Sequence, residues 1–245
     1  GKEANYLLHR LANSIVIVDE LQSYPPKIWD KLIYFIQNYA RYFNIRFILM
    51  SATLPKLDKL SNVKADFCYL TNHRKQFFQN PNFCNRVLFD FSLLNWPAPE
   101  KNYKAGYLQQ LANVVVEKSI EYAEHNGKYP DSIFTIIEFI YKQTATEFYS
   151  IVSGAANGFF DEIFVLSGTI LEPRRKEIIY YLKNEGNRDK KVLLITTQVV
   201  EAGVDIDMDL GFKDKSLVDS DEQLAGRINR NVNKPCLLYT SDAAD

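Results

Sequence analysis

With 245 residues, 47% of them apolar and 13% aromatic, the chain can bury a sizeable core as one large domain or two ordinary ones. A formal net charge of −1 and a pI near 6.4 exclude the basic excess of a dedicated nucleic-acid coat, so any nucleic-acid contact must be local. Membrane and export are not indicated, because no apolar run reaches the ~18 residues of a spanning helix and residues 1–10 lack a signal-peptide run; Cys68, Cys84 and Cys236 fit neither a disulfide framework nor a zinc site, and a cytoplasmic protein is expected.

Residues 14–18 (SIVIV) are a short β-branched run, the composition of a strand buried on both faces of a parallel sheet, with Asp19 and Glu20 at its carboxyl end. Pro25 and Pro26 punctuate the turn. Ile28, Leu32, Phe35, Ile36, Tyr39 and Phe43 recur at helical spacing and predict an amphipathic helix of about four turns, followed by a second strand over 46–50. A right-handed crossover puts both strand ends on one edge, where open α/β sheets bind ligands. Residues 60–100, with Pro81, Pro97 and Pro99, are less regular and are expected to contain a domain boundary. Beyond them, helices are predicted over 107–122, 144–152, 173–182 and 219–229, and strands over 132–137, 162–166 and 191–196. Residues 236–245 (CLLYTSDAAD) show no periodicity and resemble read-through of a sequencing adaptor; they are expected to be a non-native tail outside the fold.

Four groups of residues carry candidate chemistry. Asp19 and Glu20 are suited to holding a hydrated magnesium and orienting an attacking water, although acids also follow strands where a chain merely leaves its core. Ser51, Ala52 and Thr53 could relay hydrogen bonds from a nucleotide edge, or simply turn the chain into a new helix. In residues 196–207 (TTQVVEAGVDID), Gly203 permits close backbone approach, Asp205 can accept from a ribose hydroxyl and Thr197 can donate to a backbone phosphate; a turn into the next strand is the plainer alternative. In residues 223–230 (QLAGRINR), Gln223, Arg227 and Arg230 are spaced four and three apart, which on a helix gives one shared face. Guanidinium groups there could stabilise a transferred phosphoryl, where the alternative is a solvated helix face.

Taken together and in this order, the four elements resemble the helicase core of superfamily two. Within it, VIVDELQSYPP, FILMSATLP, LLITTQVVEAGVDID and DSDEQLAGRINR are similar to the CRISPR-associated helicase-nuclease of type I systems, the likeness covering residues 14–231. The resemblance implies an α/β fold of two RecA-like parallel-sheet lobes, the first incomplete, with residues 1–62 in the first lobe, 63–103 connecting and 104–235 in the second. It implies ATP and magnesium as cofactors, single-stranded DNA and an RNA-guided CRISPR surveillance complex as partners, and a role in antiviral defence. Asp19 and Glu20 then serve metal and water, and Gln22, in the place usually held by histidine, joins Ser51 and Thr53 in coupling. Gly203, Asp205 and Gln223 bind ATP, and Arg227 and Arg230 stabilise the phosphoryl; Leu224 stands where the family often has arginine. Thr197 matches a position that contacts the nucleic-acid strand, and Arg174 and Arg175 fall where the family contacts that strand or opens its second-lobe helix.

A phosphate loop, G-x-x-x-x-G-K-[ST], does not occur: Gly1-Lys2 is followed by Glu3, and Gly127-Lys128 by Tyr129. The scattered His9, His73 and His125 offer no counterpart to the family's His-Asp nuclease domain. The expectation is therefore a helicase piece that does not hydrolyse ATP alone, from a parent that does. Another superfamily-two DNA or RNA helicase, or a non-catalytic nucleic-acid-binding remnant, remain the alternatives.

Overall fold

The computed structural model describes residues 8–51, 57, 67–70, 76, 79–80, 86–97, 104–155, 158–200, 204–216, 218–231 and 237–241. The chain divides into two compact units, Gly1–Arg74 and Lys75–Asp245.

In the first unit a short helix α1 (Leu8–Leu11) precedes strand β1 (Ile15–Val18), and helix α2 (Trp29–Phe43) carries the chain to β2 (Arg46–Leu49). The strands pair in parallel, from Ile15 opposite Arg46 to Val18 opposite Leu49. Helix α2 starts after the 3-10 turn Pro26–Ile28 and ends at Asn44, whose left-handed backbone (φ 49°) stops it. Ile33 and Ile36 face inward and form a core with Leu21 and Leu57, onto which Val18, Phe47 and Leu49 pack. The expectation that residues 14–18 are buried on both faces is corrected, since Ile15 and Ile17 are 62% and 61% exposed. Among the described residues this sheet has two strands, and the apolar cluster of this unit contains Val18 but neither isoleucine.

Among the described residues, the second unit is built on six parallel strands in the order β3-β8-β7-β4-β6-β5. Along the chain these are β3 (Leu88–Asp90), helix α3 (Lys104–Glu124), β4 (Ile133–Glu138), helix α4 (Lys142–Ala155), β5 (Glu162–Leu166), helix α5 (Glu172–Lys183), β6 (Lys191–Thr196), β7 (Leu210–Asp214), helix α6 (Val218–Ala225) and β8 (Leu237–Ser241). Alternate strand residues feed two cores. Ile133 and Ile137 of β4 pack with Leu111 and Val115 of α3 and Phe148 of α4, whereas Phe134 and Ile136 pack with Ile178 and Leu182 of α5 and Leu224 of α6. Helices on both faces explain why β4 and β6 are continuous apolar runs, and why the sequence locates them to within a residue.

Three strands have no such signal. β3 is short and lies in the irregular stretch. β7 (LGFKD) ends on Lys213 and Asp214, both about 1% exposed, and Lys213 forms an ion pair with its register partner Glu138 on β4, itself buried. β8 corrects the expectation of a tail outside the fold for residues 237–241, for it pairs with both β7 and β3 and its Leu238, Tyr239, Thr240 and Ser241 are buried; residues 236 and 242–245 of that expectation lie outside the described residues. The Tyr239 ring stacks on Phe212 at 5.1 Å between centroids, and its burial pushes the phenol pKa up. No helix among the described residues is long and apolar enough to cross a membrane.

Candidate functional site

Where β1 ends in the first unit, the chain turns sharply. Glu20 adopts left-handed backbone (φ 54°), its N–H donating to the Asp19 carboxylate at 2.8 Å. Because the N–H of Leu21 donates to Met50 O (3.2 Å), and that of Met50 to Val18 O (2.8 Å), the segments after β1 and β2 are held side by side. Their side chains connect in series, the Ser51 hydroxyl donating to Gln22 Oε1 and Gln22 Nε2 donating to the Glu20 carboxylate. Asp19, Glu20, Gln22 and Ser51 are thus assembled in one place, while Thr53 lies outside the described residues. The two exposed carboxylates could offer one oxygen each to a hydrated magnesium, a hard cation that keeps several of its waters.

In the second unit Thr197 directly follows β6, its N–H donating to Leu166 O at 3.2 Å and its side chain almost fully buried. Arg175 Nη2 donates to Val199 O (3.3 Å), tying α5 to the segment after Thr197, and exposed Arg174 pairs with Glu177 at 2.9 Å. Asp205 receives Lys183 Nζ at 2.9 Å and Arg230 Nη1 at 3.2 Å. The Lys183 hydrogen bond, and after it the Arg230 charge, holds the Asp205 carboxyl below its usual range. Gly203 lies outside the described residues.

The arginine segment is not the helix face that its spacing predicts. Helix α6 stops at Ala225, and residues 226–228 leave it through a turn in which Gly226 N–H donates to Glu222 O (3.0 Å) and Arg227 N–H to Leu224 O (2.8 Å). A Cβ on Gly226 would sit 3.1 Å from Gln223 O, so glycine serves this turn, not a helix interior. Gln223 therefore stays on the helix while Arg227, its Nε donating to Val200 O at 3.1 Å, and Arg230 sit on the loop beyond it.

Sequence reasoning missed the residues that shape this loop. Asp207 accepts Arg230 N–H (2.9 Å) and Asn231 Nδ2 (3.0 Å), and Asn229, left-handed at φ 45°, donates from Nδ2 to Arg86 O (2.9 Å) while Arg86 Nη2 donates to Ala225 O (3.1 Å). Beneath them Arg188, 7% exposed, donates to both carboxylate oxygens of Asp209 and to Asp207 O, its guanidinium 4.2 Å from the Phe134 ring centroid. The only signal was the alternation of acids in VDIDMD. A polar cavity of about 170 Å³ is lined there by Lys128, Tyr129, Lys183, Arg188, Asp205 and Arg230, among others.

Parallel α/β sheets bearing polar groups just beyond their carboxyl ends are the architecture of RecA-like helicase domains. The comparisons agree. Residues 139–233 match the family described as the C-terminal part of the CRISPR-associated nuclease/helicase Cas3. A Methanocaldococcus jannaschii protein described as a CRISPR-associated nuclease/helicase Cas3 is 23% identical across 93% of this chain and 28% of its own length. In fold, the chain is similar to the crystal structure of T. fusca Cas3 with AMPPNP, at a TM-score of 0.67 and 18% identity over 95% of this chain and 30% of that one. It is also similar to the DUF1998 helicase MrfA bound to DNA and AMPPNP, at a TM-score of 0.55 and 16% identity over 99% of this chain and 32% of that one. The chain is thus similar to a CRISPR-associated Cas3 helicase, and it spans less than a third of the length of the curated relatives it matches.

Proposed function

We propose that the chain contributes the acidic, coupling, strand-end and arginine elements of an ATP-driven DNA motor acting in CRISPR antiviral defence, with the first lobe in the unit Gly1–Arg74 and the second in the unit Lys75–Asp245, whose sheet takes in β3 and β8. The observation that carries this reading is the series Ser51–Gln22–Glu20, because a bare pair of acids leaving a core has no need of a hydrogen-bonded link to the next strand end. In this reading Asp19 holds the hydrated magnesium that accompanies ATP, a cation that neutralises charge on the phosphates. Glu20 orients the attacking water. Gln22 and Ser51 fix the Glu20 carboxylate and make its position depend on the segment after β2. Arg227 and Arg230 bind phosphate oxygens, for which a permanently charged planar fork is suited. Asp205 and Gln223 contact the nucleotide, while Thr197, Arg174 and Arg175 contact single-stranded DNA; a surveillance complex that delivers the strand completes the assignment.

The test is ATP hydrolysis by the full-length parent, with and without single-stranded DNA, for wild type, Glu20→Gln and Arg227→Ala. DNA-stimulated turnover is expected in wild type and a loss of about 100-fold or more in each variant, the scale on which a positioned base or a charge-stabilising group acts. Undiminished turnover in both variants would refute the roles. The 245-residue chain itself, whose sequence contains no phosphate loop, is expected to release no phosphate from ATP.

A further inference from the structure

We infer that Tyr141 is a base-stacking platform for single-stranded nucleic acid on the second unit. The inference rests on the nucleic-acid reading of Thr197, Arg174 and Arg175 and adds a residue which that reading does not contain.

The strands β4, β6 and β5 are neighbours, and their register aligns Glu138 with Thr196 and Thr196 with Leu166. All three end at the same level. The N–H of Phe139 donates to Thr196 O (2.9 Å) and that of Thr197 to Leu166 O (3.2 Å), so the three exiting segments are laced together along one sheet edge. With strands about 4.8 Å apart, the segments after β4 and β5 are separated by about 10 Å. The β5 segment offers the exposed hydroxyl of Thr169, 3.2 Å from that of buried Ser167, and then Arg174, Arg175 and Lys176 at the start of α5. Next to it, the β6 segment carries Thr197, whose side chain is almost fully buried. Across the edge, Tyr141 follows β4 with 53% of its surface exposed, and exposed Lys142 comes next.

The core does not explain the position of this ring. Phe139, two residues before it, is buried and packed against Phe148 at 5.1 Å between centroids, whereas Tyr141 stands outside both core clusters of this unit. The Tyr141 backbone is fixed, its carbonyl accepting the N–H of Ala145 (3.1 Å) as α4 begins. A half-exposed aromatic on a fixed backbone, sharing one sheet edge with cations and a hydroxyl, combines the two elements that single-strand binding uses, a face for an unpaired base and donors for the adjoining phosphates. A duplex offers no free base face, so the platform selects single strands.

The experiment is a fluorescence-anisotropy titration of the 245-residue chain with a fluorescein-labelled oligothymidine, repeated with the duplex form and across a range of salt. Tyr141→Ala is expected to weaken single-strand binding about five- to one-hundred-fold, with an unaltered salt slope because no phosphate contact is lost, and to leave duplex binding unchanged. Tyr141→Phe keeps the ring and is expected to bind as wild type. Arg175→Ala is expected to weaken binding and flatten the salt slope. Single-strand binding by Tyr141→Ala within twofold of wild type, together with a weakened Arg175→Ala, would overturn the stacking role and leave the phosphate contacts standing. Absence of oligonucleotide binding by wild type would overturn both. Because Tyr141 is exposed, the thermal melts of the two Tyr141 variants should coincide with that of wild type, and a lowered melt for Tyr141→Ala would assign the residue to the fold instead.

Discussion

Arg188 Nη1 lies 3.1 Å from Asp209 Oδ2 in a site where the two side chains are only 7% and 0% exposed. Asp209 also accepts the N–H of Phe134 at 2.7 Å, and Arg188 donates to Asp207 O, so this pair joins the strand β4 to the segment that holds the arginine loop. Removing one member strands a charge away from water. Arg188→Ala is therefore expected to destabilise the protein by about 3–5 kcal/mol, read as a lowered urea midpoint. A midpoint unchanged from wild type would show that the site is wetter than its geometry indicates.

The Lys213–Glu138 pair on β7 and β4 makes a different demand. Its two side chains are register partners buried at the level where the central strands end. Either Lys213→Met or Glu138→Leu alone should cost about 3–5 kcal/mol, whereas the two changes combined should recover most of the loss, because well-packed apolar groups replace a buried ion pair at little or no penalty. A double-mutant cycle by chemical denaturation measures this, and strictly additive losses would count against a direct pairing.

Gly211 on β7 is fixed by packing. A Cβ there would overlap the Ile228 Cδ1 methyl and approach Leu238 Cδ1 to 2.8 Å, and both residues are fully buried. Gly211→Ala should destabilise by about 1–3 kcal/mol through overpacking. Pairing it with Ile228→Val should return part of that loss in the same melt, and a neutral Gly211→Ala on its own would show that the two neighbours move aside freely.

The acid limb of stability should register Asp205. Its folded-state pKa is lowered, first by the Lys183 hydrogen bond and then by Arg230, so its contribution is present above the unfolded value of about 3.9 and is lost as pH falls through the folded value. Lys183→Ala should shift the titration of this carboxyl upward, towards the ordinary range, in a carbon-detected NMR experiment. All three side chains are substantially exposed, so the effect on global stability is small and the site-resolved titration is the proper measurement. An unmoved Asp205 titration in that variant would remove Lys183 from the account.

Legibility in the sequence followed the physics of burial. β4 and β6 announce themselves because strands covered by helices are apolar runs, β1, β2 and β5 read as apolar runs too although Ile15 and Ile17 of β1 are exposed, and α2 through α5 are legible because their inward residues recur at helical spacing. β7 is hidden because Lys213 and Asp214 look like surface residues until Glu138 is seen to accept from Lys213 and the N–H of Ile140 to donate to Asp214, each more than 70 positions away. The same distance in sequence conceals Arg188, whose burial makes sense only with Asp209 beside it. The arginine motif was legible as residue types but not as geometry, since spacing alone extended α6 past Ala225, and the hydrogen bonds of Met208 with Arg227 and Asn229 are what end it. The strand β8 was lost to its composition, as nothing in CLLYTSDAAD distinguishes a tail from a strand that finds a place between two others.

The left-handed backbone of Glu20 bears on how the protein would respond to laboratory evolution. A non-glycine residue held at φ 54° costs about 1–2 kcal/mol relative to a residue at ease there. Libraries screened only for heat tolerance should therefore enrich glycine or asparagine at position 20, and libraries screened for turnover of the parent should reject both. The opposed outcomes would separate, at one codon, the demands of folding from the demands of work.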